Sequence, residues 1–131
     1  MLQKEVVDRL AAQPGSKNYG RISVGVQQAC EVTPVVYVPP SAFTPPPKVE
    51  SAVVRLTPYK DSPYPVKDRK QLHSLCLTAF NQRRKTIRNN LKGLIPAEQL
   101  ESLGIDPSAR PETLSVEDYC KLSDWLTEQA E

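Results

Sequence analysis

Apolar positions along this 131-residue chain change rhythm near residue 66, from mixed spacing to helical spacing. From Leu2 to Ala12, Val6, Val7 and Leu10 share one helical face, and Pro14-Gly15 is the stop. Arg21 to Cys30 supports two readings. Ile22, Val24 and Val26 alternate like a strand, whereas Ile22, Val26, Ala29 and Cys30 fit a helical stripe. Val32 to Val38 and Ser51 to Leu56 read as strands, and the run Ala52-Val53-Val54 suggests burial on both faces. Lys67 to Lys92 reads as one long helix ended by Gly93. Pro96 opens a short helix, Ala97 to Leu103, that Gly104 ends, and Ser115 can cap a last one from Val116 to Glu128.

These elements divide the chain into a mixed α/β piece (1–58), a proline-bearing linker (59–66) and a small helical domain (67–131). Two strands with one or two helices do not make a free-standing α/β domain, because such a sheet needs more strands to cover its faces. The first piece is therefore expected to be the tail of something larger. Thirteen prolines and 39% hydrophobic residues predict a modest core. Three separated cysteines, Cys30, Cys76 and Cys120, make no CxxC and no disulfide framework, which fits a reduced cytoplasm. The opening residues lack the apolar stretch of a signal peptide, and no segment approaches membrane-spanning length.

Charge sharpens the picture. The formal net charge is only +2, but Lys67 to Ile95 carries eight basic residues and one acidic, and Pro96 to Glu131 carries two basic and nine acidic. Were Lys67 to Lys92 one helix, about 100° per residue would gather Cys76, Phe80, Ile87 and Leu91 into an apolar stripe. Arg84, Lys85, Arg88 and Lys92 would form one flank and Arg83 the opposite shoulder. The amides of Asn81, Gln82, Asn89 and Asn90 would fill the outer face. A merely solvated face usually interleaves acids at i,i+4 spacing, and none occurs from Arg69 to Ala97. The pattern predicts a surface for a phosphate backbone.

Two long stretches, FTPPPKVESAVVRL (Phe43 to Leu56) and AFNQRRKTIRNNL (Ala79 to Leu91), resemble the 16S ribosomal RNA adenine dimethyltransferase family. The opening MLQKEVVDRL and the closing GIDPSARPETLSVEDYCKL resemble it too. The likeness covers essentially the whole chain but only the C-terminal half of a typical member. It implies a Rossmann-like methyltransferase sheet followed by a small helical domain. It also implies an S-adenosylmethionine-dependent enzyme that dimethylates two adjacent adenines near the 3′ end of 16S rRNA in the 30S subunit. The family's glycine-rich cofactor turn is missing, since no GxG occurs among the five glycines. So is the catalytic Asn-Leu-Pro-Tyr, whose nearest lookalike is Asp61-Ser62-Pro63-Tyr64 in the linker. The resemblance thus places no catalytic and no cofactor-binding residue in this chain, which is expected to be inactive alone.

By the same resemblance, Phe43 stacks on the flipped target adenine, and Arg83, Arg84, Lys85 and Arg88 bind rRNA with Lys92 as an extension. Lys48, just after the prolines, is a further phosphate-contact candidate. A flat ring braced by Pro45, Pro46 and Pro47 suits an everted base, because it replaces lost stacking. Without the resemblance Phe43 would read as a cap on the sheet core. His73 and Cys76 have metal-compatible spacing but no second ligand pair, so no metal is expected. Tyr119, Leu122 and Trp125 read as packing residues. Two alternatives stand beside the enzyme: a non-catalytic RNA-binding module of small-subunit assembly, and a DNA-binding helix-turn-helix. The second is poor, since the gap from Gly104 to Leu114 is too long and the last helix acidic. Finally, the resemblance implies that Ser51 to Leu56 is the last strand of the methyltransferase sheet, antiparallel between two others of which one lies outside the chain; its exposed edge predicts self-association of the isolated α/β piece, or disorder in it, while the helical domain stays folded.

Overall fold

The computed structural model describes residues 2–42, 44, 45 and 48–130. Its elements in chain order are β1 (Leu2–Gln3), α1 (Lys4–Leu10), α2 (Arg21–Ala29), β2 (Cys30–Val38), β3 (Ser51–Pro58), α3 (Arg69–Ala79), α4 (Ile87–Asn90), α5 (Ala97–Ser102) and α6 (Val116–Ala130).

The sheet runs β1-β3-β2 and every pairing is antiparallel. β3 is central, as the resemblance implies, but two residues of its second partner lie within this chain. Leu2 pairs with Ala52 and Gln3 with Ser51. Beyond those two residues the described strands cover only one edge of β3. Burial on both faces does not hold either: Ala52 is buried, whereas Val53 and Val54 are only partly so and Leu56 is exposed. β2 slips register between Pro34 and Val36, where proline has no N–H to give the ladder and the chain bulges around it.

Arg21 to Ala29 is helical, which resolves the ambiguous segment, but its buried face is Ser23, Val24 and Gln28. Ile22, central to both sequence readings, is exposed. Polar side chains set this packing. Gln27 Nε2 donates to the carbonyls of Leu10 (2.9 Å) and Ala12 (2.7 Å), satisfying groups that the end of α1 would leave orphaned. The proline-bearing linker is pinned as well: Tyr59 N donates to Ala29 O, Ser62 Oγ to Gln28 O, and Gln28 Nε2 to Tyr64 O.

The long helix expected from Lys67 to Lys92 is two helices joined by a loop. Asp68 caps α3 by accepting from the amides of Lys70 and Gln71, and α3 stops at Phe80. Thr86, with ψ of 159°, then opens α4 and its side chain accepts from Asn89 N. In a continuous helix the amides of Ile87 and Arg88 would bond four residues back. Here they donate to Ala109 O (2.7 Å) and Pro107 O (3.1 Å). Asn90 replaces the missing turn, its Nδ2 donating to Ala79 O and Gln82 O at 2.9 Å each. The remaining helical signals hold, except that the first helix begins only at Lys4, Leu2 and Gln3 being strand. Gly93 and Gly104 sit at positive φ, 84° and 82°, where a Cβ is strained. Ser115 and Asp118 cap α6 reciprocally, Asp118 N donating to Ser115 Oγ and Ser115 N to Asp118 Oδ2.

One apolar core runs through the helical part and into the first piece. Leu72, Leu75, Cys76, Ala79, Ile87, Leu91, Leu100, Tyr119 and Leu122 meet Tyr19 and Val24 there, and Trp125 packs against them. Burial pushes the Cys76 and Cys120 thiols from an ordinary value near 9 up to about 12, and it raises the Tyr19 and Tyr119 hydroxyls too. The fold thus favours the neutral forms. Their contribution to stability is complete below about pH 9 and is lost as pH rises toward 12. The thermal midpoint is expected to fall steeply above about pH 9, as a pH series of melts would show. A flat profile up to pH 11 would mean these groups ionise freely in the folded protein.

Candidate nucleic-acid interface

The cationic residues do not lie along one helix flank. Arg83, Arg84 and Lys85 belong to the loop between α3 and α4, Arg88 lies within α4, and Lys92 follows its end. The loop is held at both ends, by Asn90 at Gln82 and by Thr86 as the cap of α4. Arg84, Lys85, Arg88 and Lys92 are all exposed. Among the described residues none of them makes an ion pair; the pairs present are Lys4–Asp8, Arg9–Glu5, Lys67–Glu128 and Lys121–Glu117.

Arg83 differs. It is half-buried, its Nη2 donates to the carbonyl of Tyr19, and its guanidinium lies 5.8 Å from the centre of the Phe80 ring. Lys48 is exposed in the segment before β3. Phe43 lies outside the described residues.

Two clefts flank the loop. One, of about 590 Å³, is lined by Arg88, Asn89 and Lys92 together with Glu101, Asp106 and Ser108. Asp106 accepts from Ser108 Oγ (2.7 Å) and Ser108 N (2.9 Å), and these bonds lower its carboxyl below the usual range. The cleft therefore carries groups of both signs. The other cleft, of about 430 Å³, brings Arg9, Asn18 and Arg21 from the first piece beside Asn81 and Arg83. Nothing in the sequence joins these groups. Arg21 stands 62 positions before Arg83, and no local periodicity links residues so far apart.

His73 is exposed and Cys76 is buried in the core. Among the described residues no three His, Cys, Asp or Glu side chains cluster to hold a metal, and no helix is long and apolar enough to cross a membrane.

This sheet with its helices resembles solved structures of Rossmann-like rRNA methyltransferases. The chain matches the crystal structure of a dimethyladenosine transferase from Plasmodium falciparum with a TM-score of 0.83 and 27% identity, over 98% of this chain and 56% of that one. The family model for ribosomal RNA adenine dimethylase matches residues 1–128; the chain belongs to that family. Ribosomal RNA small subunit methyltransferase A of Idiomarina loihiensis is 84% identical over 130 residues, which is 99% of this chain and 45% of the relative. The protein of that description from Photorhabdus laumondii is 62% identical over 131 residues, which is 100% of this chain and 48% of the relative. The chain spans about half the length of these curated relatives.

Proposed function

We propose that this chain is the C-terminal portion of a cytoplasmic, S-adenosylmethionine-dependent enzyme that dimethylates two adjacent adenines near the 3′ end of 16S rRNA in the 30S subunit. Its part in that reaction is to receive the target base and to grip the RNA backbone. The observation that carries this reading is the exposed set Arg84, Lys85, Arg88 and Lys92, free of ion pairs among the described residues. Lys48 adds a further cation next to the base-receiving segment. A-form RNA hides its base edges in a deep major groove, so a grip of this kind reads shape and phosphate positions. Phe43 supplies the stacking platform, and sequence choice rests with the base that leaves the helix.

The described residues do not fit the cofactor. A nucleotide-type cofactor sits at the carboxyl ends of parallel strands, beside a glycine-rich turn. Here every pairing is antiparallel, and the strand-to-helix junction at Gln3 and Lys4 has no glycine. We therefore assign the cofactor site to the part of the full-length protein outside this chain, which alone should transfer no methyl group. The edge of β3 beyond Ala52 is where that part would pair, and in its absence a second copy of the chain could take the place.

The second reading, a non-catalytic RNA-binding module, draws on the continuous core that the chain builds by itself. One experiment tests both. The chain is titrated with the 3′-terminal hairpin of 16S rRNA and with a DNA duplex of equal length, with and without S-adenosylmethionine. Preference for the RNA hairpin without methyl transfer is expected. Equal binding of the DNA duplex would defeat the RNA reading, and methylation by the chain alone would defeat the assignment to the C-terminal portion.

A further inference from the structure

We propose that Arg83 is a positioning residue that clasps the cationic loop to the first piece of the chain, and is not itself one of the phosphate contacts. The inference rests on the RNA-grip reading above. Four cations around the loop point into solvent, whereas Arg83 is half-buried. Its Nη2 donates to the Tyr19 carbonyl, and its guanidinium lies against the Phe80 ring. Phe80 is wedged between two fully buried tyrosines, Tyr19 at 6.1 Å and Tyr119 at 5.4 Å between ring centres. The guanidinium lies directly over this turn: a Cβ at Gly20 would stand 3.8 Å from Arg83 Nη1, an ordinary van der Waals contact.

A guanidinium has five N–H donors, and swinging this one out toward a phosphate would break its bond to the carbonyl and its contact with the ring. Its effect on RNA passes through its neighbours. With Gln82 held by Asn90, Arg83 held by Tyr19 and Thr86 capping α4, Arg84 and Lys85 project from a segment fixed on both sides. Less conformational freedom is then lost when they meet the backbone.

The full chain is tested as wild type, Arg83→Ala, Arg83→Met, Arg84→Ala/Lys85→Ala and the triple variant combining these with Arg83→Ala. Arg83→Met keeps the packing on Phe80 and guards against loss of the fold. The first readout needs no RNA: trypsin cleavage after Arg84 and Lys85 is expected to accelerate about tenfold or more in both Arg83 variants, with the thermal midpoint of Arg83→Met held close to wild type. The second is binding of the 16S hairpin across a salt series. Arg83→Ala should weaken binding several-fold with an unchanged salt slope, and should have no further effect once Arg84 and Lys85 are alanine. A slope flatter by about one unit, an additive loss in the triple variant, or unchanged cleavage would overturn the clasp. If Arg84→Ala/Lys85→Ala leaves hairpin binding untouched, the RNA reading fails instead, and the cleavage rates alone decide the role of Arg83.

Discussion

Alanine at both Arg84 and Arg88 is expected to flatten the salt dependence of 16S hairpin binding by roughly two units of slope and to weaken binding on the order of tenfold at low salt. Each phosphate neutralised releases condensed counterions and contributes a little under one unit to that slope. The effect should be large because neither guanidinium is committed elsewhere: both are exposed and unpaired among the described residues. For the same reason the fold should survive. Amides and carbonyls hold this region together, through Ile87 N to Ala109 O and Asn90 Nδ2 to Gln82 O, and the substitutions touch none of them. A salt titration of hairpin binding, with circular dichroism to confirm helix content, measures both halves of the expectation. An unchanged slope would remove Arg84 and Arg88 from the interface.

Leu75→Ala should produce the largest loss of stability, about 2 to 5 kcal/mol. Leu75 is completely buried near the middle of α3, the helix that packs on α6, and its removal leaves a void in a core shared by both parts of the chain. In a chain of this size that loss corresponds to a fall of roughly 10 °C or more in the thermal midpoint. Leu77, two positions on, is exposed, and Leu77→Ala should stay within about 0.5 kcal/mol. Equal effects at the two positions would show that α3 presents a different face to the core.

The two long strands, the Ser115 cap and the positive-φ glycines were legible in the sequence because each is a local event. Ser115 and Asp118 sit three positions apart, and Gly93 and Gly104 stand where their helices end. The break after Phe80 was not legible. Gln82-Arg83-Arg84-Lys85 has good helix propensity and contains no glycine or proline. What ends the helix is a set of partners about twenty positions away, the carbonyls of Pro107 and Ala109. The apolar stripe drawn on the supposed long helix named the right buried residues, Cys76, Ile87 and Leu91, because they face one core from two separate helices. The same limit hid the Arg83 contact with Tyr19, and it hid the second partner of β3, which is only two residues long.

Tyr19 gives the architecture a mechanical property. Its ring comes from the α/β side, yet it is lodged beside Phe80 and near Tyr119 within the helical side's own interior. Close-packed interiors are stiff, so a displacement of the segment between α1 and α2 would pass through Tyr19 to Phe80 and Arg83 without slack. Severing the chain at residues 59–66 would therefore yield two pieces that still cling to each other, not two independent bodies.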